Sequence, residues 1–374
     1  MESSLYVHIP FCIKKCLYCD FVSFPGREDM HRRYVDTLLS EMALRGGKTL
    51  RTVYIGGGTP TCLEPGLLHR VLEGGDRCFD TSNYIEKTIE ANPGTLSVGI
   101  LETLKEGGIN RLSIGLQSWH PEELKTLGRT HDRQTFVQSY KRARKLGFDN
   151  INIDLIFGIP GQTLQSWRKT LEAAADLAPE HISCYSLKIE EGTPFHSMVA
   201  GGAMEEPDTD LDRDMYHYAV EYLEGRGYER YEISNFARKG RKCVHNMVYW
   251  ENRPYIGIGT AAHSHQEGTR MWNTPDLYRY CTLLDSGKLP VEGSEVISPE
   301  TGMFETIFLR LRTRRGINFR EFEQEFGTDI RKLYSEQIER LKKDGLIEMG
   351  QEGFWLTPRG IDLSNSVFVQ FFIN

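Results

Sequence analysis

The first half of the chain alternates between short apolar runs, typical of buried strands, and longer segments with apolar residues at helical spacing. Strands are predicted for the run that ends before Pro10 and for 52–55, 84–91, 111–116, 151–157 and 181–189. Helices are predicted between them, at 29–45, 65–72, 97–105, 135–146 and 164–177. Six strands that alternate with helices predict parallel pairing with right-handed crossovers.

Residues that could take part in binding or catalysis lie on or directly after consecutive predicted strands. They are the glycine run 56–58 with Thr59, then Glu90, Gln117 and Asp154. In a β/α barrel the C-terminal ends of all strands meet at one edge, where a site draws on several of them. A doubly wound sheet has a single switch point and does not account for this distribution. The sequence therefore predicts an α/β fold, an open and incomplete (β/α)6 barrel.

The pattern loosens after residue 190 and becomes regular again near the C-terminus. A helix at 213–225 and a strand with a turn at 228–235 are predicted first. From residue 299, helices followed by a hairpin at 346–356 predict a small α+β winged-helix-like domain. We therefore expect a barrel over 1–235, a connecting segment over 236–298 and a C-terminal domain over 299–374.

Composition and charge narrow the function classes. The chain has 374 residues, 26% of them charged, and a net charge of −7, which gives no electrostatic basis for binding nucleic acid. No apolar run is long enough to span a bilayer, and the N-terminus lacks the pattern of a secretory signal. These features predict a cytoplasmic protein, in which eight cysteines serve as metal ligands and buried thiols.

Three cysteines follow the first predicted strand in the spacing C-x3-C-x2-C. Pro10 ends that strand, so Cys12, Cys16 and Cys19 are expected on a loop at its C-terminal end. Three thiolates around one point suit an iron–sulfur cluster, and they are one ligand short, which leaves one iron open. The alternatives are a zinc site with His8 as the fourth ligand and a set of buried structural thiols.

Several segments resemble the HemN-like radical S-adenosylmethionine (SAM) family. They are 6–12, 56–61, 90–93, 113–118, 154–160 and the winged-helix-like tail. The resemblance implies that Cys12, Cys16 and Cys19 hold a [4Fe–4S] cluster whose open iron is chelated by SAM. It also implies SAM contacts from Tyr6, Tyr18, Gly57, Gly58, Thr59, Glu90, Gln117, Arg129, Asp154 and Lys188, although the local sequence around Lys188 departs from the family pattern.

Two departures separate the branches of this family, which includes oxygen-independent coproporphyrinogen III oxidases and the haem chaperones of the HemW branch. The oxidases carry a further cysteine two residues after the third ligand, whereas here Asp20 and Phe21 follow Cys19. They also carry a longer segment before the cysteine loop. Both departures match the HemW branch and weigh against coproporphyrinogen decarboxylation.

A third signal is the sequence His-Asn-Met-Val-Tyr-Trp at 245–250. It is similar to the proposed haem-binding motif of HemW, with His245 as the haem residue; the alternative is a buried histidine packed under two aromatic rings. The resemblance implies a haem chaperone that carries haem as cargo to haem-requiring proteins such as membrane-bound respiratory cytochromes, with a homodimer left open. The other possibility is a radical SAM enzyme acting on a porphyrinogen or another small substrate, so whether the chain is an enzyme stays undecided.

Overall fold

A nine-stranded sheet forms the centre of the computed structural model, which describes residues 3–372. The first eight strands of the chain are β1 Ser3–Ile9, β2 Phe11–Cys12, β3 Phe24–Pro25, β4 Leu50–Gly57, β5 Glu86–Ala91, β6 Arg111–Gln117, β7 Ile151–Phe157 and β8 His181–Ser186. The helices of this part are α1 His31–Arg45, α2 Pro65–Cys78, α3 Val98–Glu106, α4 Pro121–Thr126, α5 Arg133–Lys145, α6 Leu164–Asp176, α7 Pro194–Ala200 and α8 Thr209–Gly225.

The end of the predicted barrel and the connecting segment, a region in which the sequence pattern is loose, contain short regular elements. They are β9 Glu229–Arg230, β10 Asn235–Ala237, α9 Val244–Trp250, β11 Ile256–Ile258, β12 His263–Gln266, β13 Thr269–Asn273, α10 Leu277–Asp285 and β14 Val291–Val296. The single strand predicted at 228–235 is thus two short strands, β9 and β10, which pair with each other in antiparallel fashion. Elements of two or three residues are too short for periodicity to reveal them.

The strand order confirms the predicted α/β class and excludes a doubly wound sheet. Neighbouring strands follow one another as β11-β1-β4-β5-β6-β7-β8-β10-β9, so the six predicted strands lie side by side in chain order without a switch point. All contacts from β11 to β8 are parallel. The outer neighbours of β1 and β8 are β11 and β10, so the two ends do not close on each other and the barrel is open.

One face of this sheet is rich in buried polar side chains, because most alternate residues of β1 and β4 to β8 are polar. Across β6, β7 and β8, for example, Asn152 donates to Ser113 at 2.8 Å, and the His181 ring lies 2.6 Å from the Asn152 carbonyl oxygen. The residues between them, such as Ile153 and Ile182, are fully buried in the apolar core. The two-residue period therefore places apolar residues toward the core and polar residues toward the site.

The C-terminal part combines helices with a three-stranded antiparallel sheet in the order β15-β17-β16. Its elements are α11 Pro299–Arg310, β15 Ile317–Asn318, α12 Phe319–Phe326, α13 Ile330–Leu333, α14 Ser335–Lys343, β16 Ile347–Met349, β17 Gly353–Leu356, α15 Pro358–Asp362 and α16 Ser364–Phe368. The predicted hairpin is β16 and β17, and one connected set of buried side chains joins this part to the main sheet. Among residues 3–372, no helix combines the length and apolar content needed to cross a membrane.

Candidate functional site

The cysteine loop leaves β1 where Pro10 ends it and is fixed to the neighbouring strand connection by backbone hydrogen bonds. The amide of Gly58 donates to the carbonyl of Ile9 at 2.9 Å, and the amide of Thr59 donates to the carbonyl of Phe11 at 2.7 Å. A Cβ on Gly58 would lie 2.5 Å from the Phe11 oxygen, so this close approach requires glycine. The glycine run therefore anchors the cysteine loop through its amides and leaves carbonyl oxygens for other partners.

The three thiols Cys12, Cys16 and Cys19 are free of disulfides and half-buried. Thr59 Oγ1 donates to Cys12 Sγ at 3.6 Å, and Arg129 Nη1 donates to Cys16 Sγ at 3.4 Å. Burial raises the pKa of Cys12, and it raises the pKa of Cys19 to about 11. In residues 3–372, no three His, Cys, Asp or Glu side chains converge closely enough to hold a single metal ion. A cluster of several irons takes each thiolate on a different iron and has no need of such convergence.

His8, the candidate fourth zinc ligand, uses both ring nitrogens within the protein. Its Nδ1 accepts from the Tyr6 hydroxyl at 3.0 Å, and its Nε2 donates to the carbonyl of Val22 at 2.9 Å. Gly57 passes against the same ring with a φ of 106°, and a Cβ there would lie 2.5 Å from the imidazole. The structure thus gives His8 a role in tying the end of the cysteine loop to β1, and the zinc alternative gains no support.

Glu90 is the penultimate residue of β5, next to the glycine run, and is held in place from two sides. Tyr54 donates its hydroxyl to Oε1 at 2.8 Å, and the amide of Gly57 donates to Oε2 at 3.1 Å. Burial raises the pKa of Glu90 to about 7, and the nearby Asp154 carboxylate adds to the effect. A carboxyl group whose pKa is raised to near neutral pH is a common feature of functional sites.

Asp154 lies on β7 within a network of buried polar groups. Its carboxylate accepts from Ser113 Oγ at 2.8 Å and from Asn152 Nδ2 at 2.7 Å. Burial raises its pKa from the usual range, whereas these hydrogen bonds favour the ionised form. The network fixes the direction of the carboxylate in the middle of the strand.

Gln117 and Arg129 both pass over Gly115 near the end of β6. A Cβ on Gly115 would lie 2.6 Å from Gln117 Nε2 and 3.0 Å from Arg129 Nη2, so glycine makes room for both side chains. Gln117 itself has a φ of 67°, an uncommon conformation for a residue with a side chain. Arg129 donates to the Gly115 carbonyl at 3.1 Å, and its buried Nε has no hydrogen-bond partner within residues 3–372. The Arg129 guanidinium is therefore held between the cysteine loop and β6, and its Nε is available to donate a hydrogen bond.

Two further predicted SAM residues lie at the margins of this site. Tyr18 sits between Cys16 and Cys19, where burial raises the pKa of its hydroxyl and its ring centroid lies 6.4 Å from that of Phe195. Lys188 is exposed and follows the end of β8. Among the predicted residues the structure thus groups the cysteines, the glycine run, Glu90, Gln117, Arg129 and Asp154 at one edge of the sheet.

His245 is fully buried at the start of α9. Its Nδ1 lies 2.8 Å from Thr52 Oγ1, and its Nε2 lies 2.9 Å from the hydroxyl of Tyr249. The ring of Tyr54 stacks on the imidazole with 5.2 Å between centroids. Burial lowers the pKa of His245 to about 3, so the ring is neutral, and both nitrogens have partners.

Comparison with known proteins matches two family models to this chain. The model for the radical SAM superfamily matches residues 6–174, and the model for the HemN C-terminal domain matches residues 297–363. A Bacillus subtilis protein named "Heme chaperone HemW" is 36% identical over 98% of this chain and 98% of its own length. The chain belongs to the HemW family.

A second HemW relative agrees with this assignment, and a solved structure shares the fold. A Lactococcus lactis protein of the same name is 36% identical over the whole chain and 98% of its own length. The structure of Escherichia coli coproporphyrinogen III oxidase, HemN, superposes with a TM-score of 0.86 over 99% of this chain and 90% of that one. At 24% identity this likeness shows the shared fold alone.

Membership of the radical SAM superfamily implies a [4Fe–4S] cluster and SAM, and the residues present fit both groups. Three free thiols on one anchored loop fit a cluster with an open iron. The buried Arg129, with its unpartnered Nε, fits an anionic group, and the carboxylates Glu90 and Asp154 fit hydroxyl or ammonium donors. The HemW family fold therefore brings complementary charges to one sheet edge.

Further residues, which the motifs do not include, hold the predicted ones in place. Tyr54, Ser113 and Asn152 hydrogen-bond to Glu90 or Asp154, and none of them was singled out from the sequence. A signal was available in the sequence, because polar residues occupy most alternate positions of β4 to β8, and a search for purely apolar strands overlooks this pattern.

Proposed function

We propose that this protein is a haem chaperone, which binds haem and delivers it to haem-requiring proteins, with membrane-bound respiratory cytochromes as the acceptors. The observation that carries the proposal is the match over 98% of both chains to a protein named "Heme chaperone HemW". A cytoplasmic location, the limits of the three domains and a homodimer remain predictions from the sequence.

We further propose that Cys12, Cys16 and Cys19 are the ligands of the cluster. Arg129 donates to Cys16 Sγ at 3.4 Å, and this hydrogen bond holds the cysteine loop against the residues that follow β6. Bound at the open iron, SAM supplies a reductively cleavable sulfonium. The protein's contribution is to hold the loop, orient the polar groups of SAM and limit access of water.

The proposed SAM contacts divide by charge. Arg129 is the donor for the SAM carboxylate, because its Nε is buried and unpartnered in the described residues. Carbonyl oxygens at Gly57 and Gly58 receive the ammonium group, since the loop amides of Gly58 and Thr59 are already bonded to the cysteine loop, and the Thr59 carbonyl accepts from the Cys62 amide at 2.9 Å. The ribose hydroxyls are assigned to the side chains of the next strands, namely Glu90, Gln117 and Asp154, while Tyr6, Tyr18 and the exposed Lys188 stay peripheral proposals.

Replacing Glu90 by glutamine should weaken SAM binding by roughly ten-fold or more, since hydrogen bonds to charged groups contribute about 1.5–3 kcal/mol. Wild-type affinity should also fall as the pH drops through about 7, because the buried carboxyl becomes protonated there. The variant should lack this pH dependence. Calorimetric titration of SAM into the cluster-loaded protein between pH 6 and pH 8 measures both effects.

The same substitution has an opposite effect on stability. A carboxyl whose folded-state pKa is raised destabilises the fold progressively as the pH rises from its ordinary value through about 7. Without SAM, Glu90→Gln should therefore gain stability relative to wild type as the pH increases over that range. Glu102→Gln, at an exposed position of α3, is the control and should change neither property. Unaltered SAM affinity in Glu90→Gln would remove Glu90 from the site.

The alternative, a coproporphyrinogen III oxidase, is testable in the same preparation. A haem carrier should bind haem at or near one per chain and show no coproporphyrinogen decarboxylation with cluster, SAM and reductant present. The exposed Asp20 and Phe21, where the oxidases have a further cysteine, motivate this expectation. Haem titration followed by absorbance, and product analysis of the turnover mixture, check it. Decarboxylation by the wild type would overturn the carrier proposal.

The proposal that His245 is a haem ligand carries a structural condition. Both of its ring nitrogens are engaged, by Thr52 and by Tyr249, so ligation requires α9 to move away from β4. In the described conformation the geometry favours the alternative from the sequence, a histidine packed under aromatic rings.

A further inference from the structure

A cavity of about 480 Å³ opens between the edge of the main sheet and the C-terminal part. This volume lies within the range of roughly 300–1,000 Å³ that is typical of sites for small organic ligands. The cavity, here called the arginine groove, is lined by Arg230, Leu311, Arg312, Thr313, Arg314, Arg315, Glu348, Trp355, Leu356, Thr357, Pro358 and Ile361. It shares none of these residues with the cysteine and SAM site.

Four guanidinium groups and one carboxylate give the arginine groove a positive charge. At its rim, the exposed Arg314 and Arg315 pair with Glu224 at 3.6 Å and Glu321 at 2.5 Å. Such exposed pairs are weak and exchange readily with another anion. The one carboxylate of the lining, Glu348, accepts a hydrogen bond from Trp355 Nε1 at 3.2 Å.

Two of the guanidinium groups, those of Arg230 and Arg312, share one buried counter-charge, the Glu232 carboxylate. Within residues 3–372, neither Arg312 Nε nor Arg230 Nε has a hydrogen-bond partner, although both atoms are buried. The Arg312 guanidinium instead packs on the rings of Phe308 and Phe368, 4.5 and 5.2 Å from their centroids. Burial lowers the pKa of Arg312. A buried donor without an acceptor is unfavourable, and two such donors in one cavity point to a ligand that carries acceptor atoms.

The remaining walls of the groove suit a flat, apolar body. The apolar side of the groove is formed by Trp355, Leu356, Pro358 and Ile361, whereas the arginines form its charged side. Arg312 also lies 5.9 Å from the ring of Trp250, the last residue of the motif that starts at His245. The groove therefore joins a set of planar donors to an aromatic and aliphatic surface, next to the end of α9.

We propose that the arginine groove binds a porphyrin, with the propionate carboxylates on the guanidinium groups and the macrocycle against Trp355 and the aliphatic wall. Guanidinium and carboxylate groups form paired, parallel hydrogen bonds, and the planar guanidinium is suited to this geometry. The inference rests on the proposed haem-carrier function and names its site. Because the lining contains no His, Cys or Met, recognition here depends on the carboxylates and not on the iron.

Titration of the full chain with protoporphyrin IX, its dimethyl ester and haem, followed by quenching of tryptophan fluorescence, tests this site. The free acid should bind at least ten-fold more tightly than the ester, since the ester cannot form charge-assisted hydrogen bonds. Haem and the metal-free porphyrin should bind with similar affinity. Raising the salt concentration should weaken the free acid more than the ester.

Two variants and a control locate the binding. Arg314→Gln combined with Arg315→Gln should lower the affinity for protoporphyrin IX roughly ten-fold or more, whereas Arg320→Gln, at an exposed arginine outside the lining, should not. Arg312→Lys, which keeps a positive charge near the buried Glu232 but loses the planar set of donors, should also lower the affinity for protoporphyrin IX.

The outcomes separate this inference from the proposed function. Equal affinity for the acid and the ester, or unchanged affinity in the Arg314 and Arg315 double variant while wild type and variant still bind haem, would overturn the arginine groove and leave the carrier proposal intact. Failure of the wild type to bind haem at all would overturn the carrier proposal itself.

Discussion

Cys16→Ser should yield a protein that cannot be loaded with its iron–sulfur cluster. Each thiolate is expected to ligate a separate iron, and Cys16 is the one that receives a hydrogen bond from Arg129. A serine hydroxyl is a harder and weaker ligand for iron, so losing one of three protein ligands should reduce bound iron by roughly an order of magnitude or more. Iron and sulfide analysis after anaerobic reconstitution, with the visible absorbance of the cluster, measures the loss.

Cys62→Ser is the matched control for that experiment. Cys62 is also a free, half-buried thiol, follows the glycine run and has a pKa raised by burial to about 12. It lies outside the C-x3-C-x2-C spacing, so this variant should load with as much iron as the wild type. Equal loss of iron in both variants, or stoichiometric zinc without iron in the wild type, would contradict the cluster assignment.

His245→Ala should lower the free energy of unfolding by about 2–4 kcal/mol. The substitution leaves a cavity beside the Tyr54 ring and removes the partner of two hydroxyl groups, those of Thr52 and Tyr249. Denaturant unfolding of wild type and variant, compared at equal slope, measures the difference. Tyr249→Phe keeps the aromatic packing and loses one hydrogen bond, so about 1 kcal/mol is expected there.

The same variants also decide between two roles for His245. A structural histidine predicts that the folded His245→Ala protein binds haem with an unchanged spectrum. A haem ligand predicts an altered spectrum or a lower haem affinity in the folded variant, together with movement of α9 in the wild type when haem binds. Retained stability in His245→Ala would contradict the structural role.

The sequence was sufficient for the parts of the fold that repeat a strong period or a defined spacing. The end of β1 at Ile9 follows from Pro10, and the cysteine loop follows from both. The sequence was insufficient where an element is too short, as in β11, or where long-range partners decide a role. From the sequence His8 was a candidate metal ligand, but its partners Tyr6 and Val22 are known only from the folded chain.

The role of a buried charged residue was likewise not predictable from the sequence. Glu41 gave no signal in α1, yet it accepts hydrogen bonds from Tyr280 at 2.7 Å and from the Gly259 amide at 2.9 Å. Those partners lie in the connecting segment, where the sequence pattern is too weak to predict the elements. A charged residue on a helix is ordinarily solvated, and only the tertiary contacts show that this one fastens α1 to the strand β11.

The position of β11 sets an order for the folding of the chain. The strands β1 and β4 to β8 pair in the order in which they are synthesised. By contrast, β11 can pair with β1 only after Ile256 has left the ribosome. Until then the outer edge of β1, the strand that leads into the cysteine loop, has unpaired backbone groups and is open to wrong partners. Truncation before residue 256 should therefore give a chain prone to aggregation, in which the loop that carries the thiols lacks its final support.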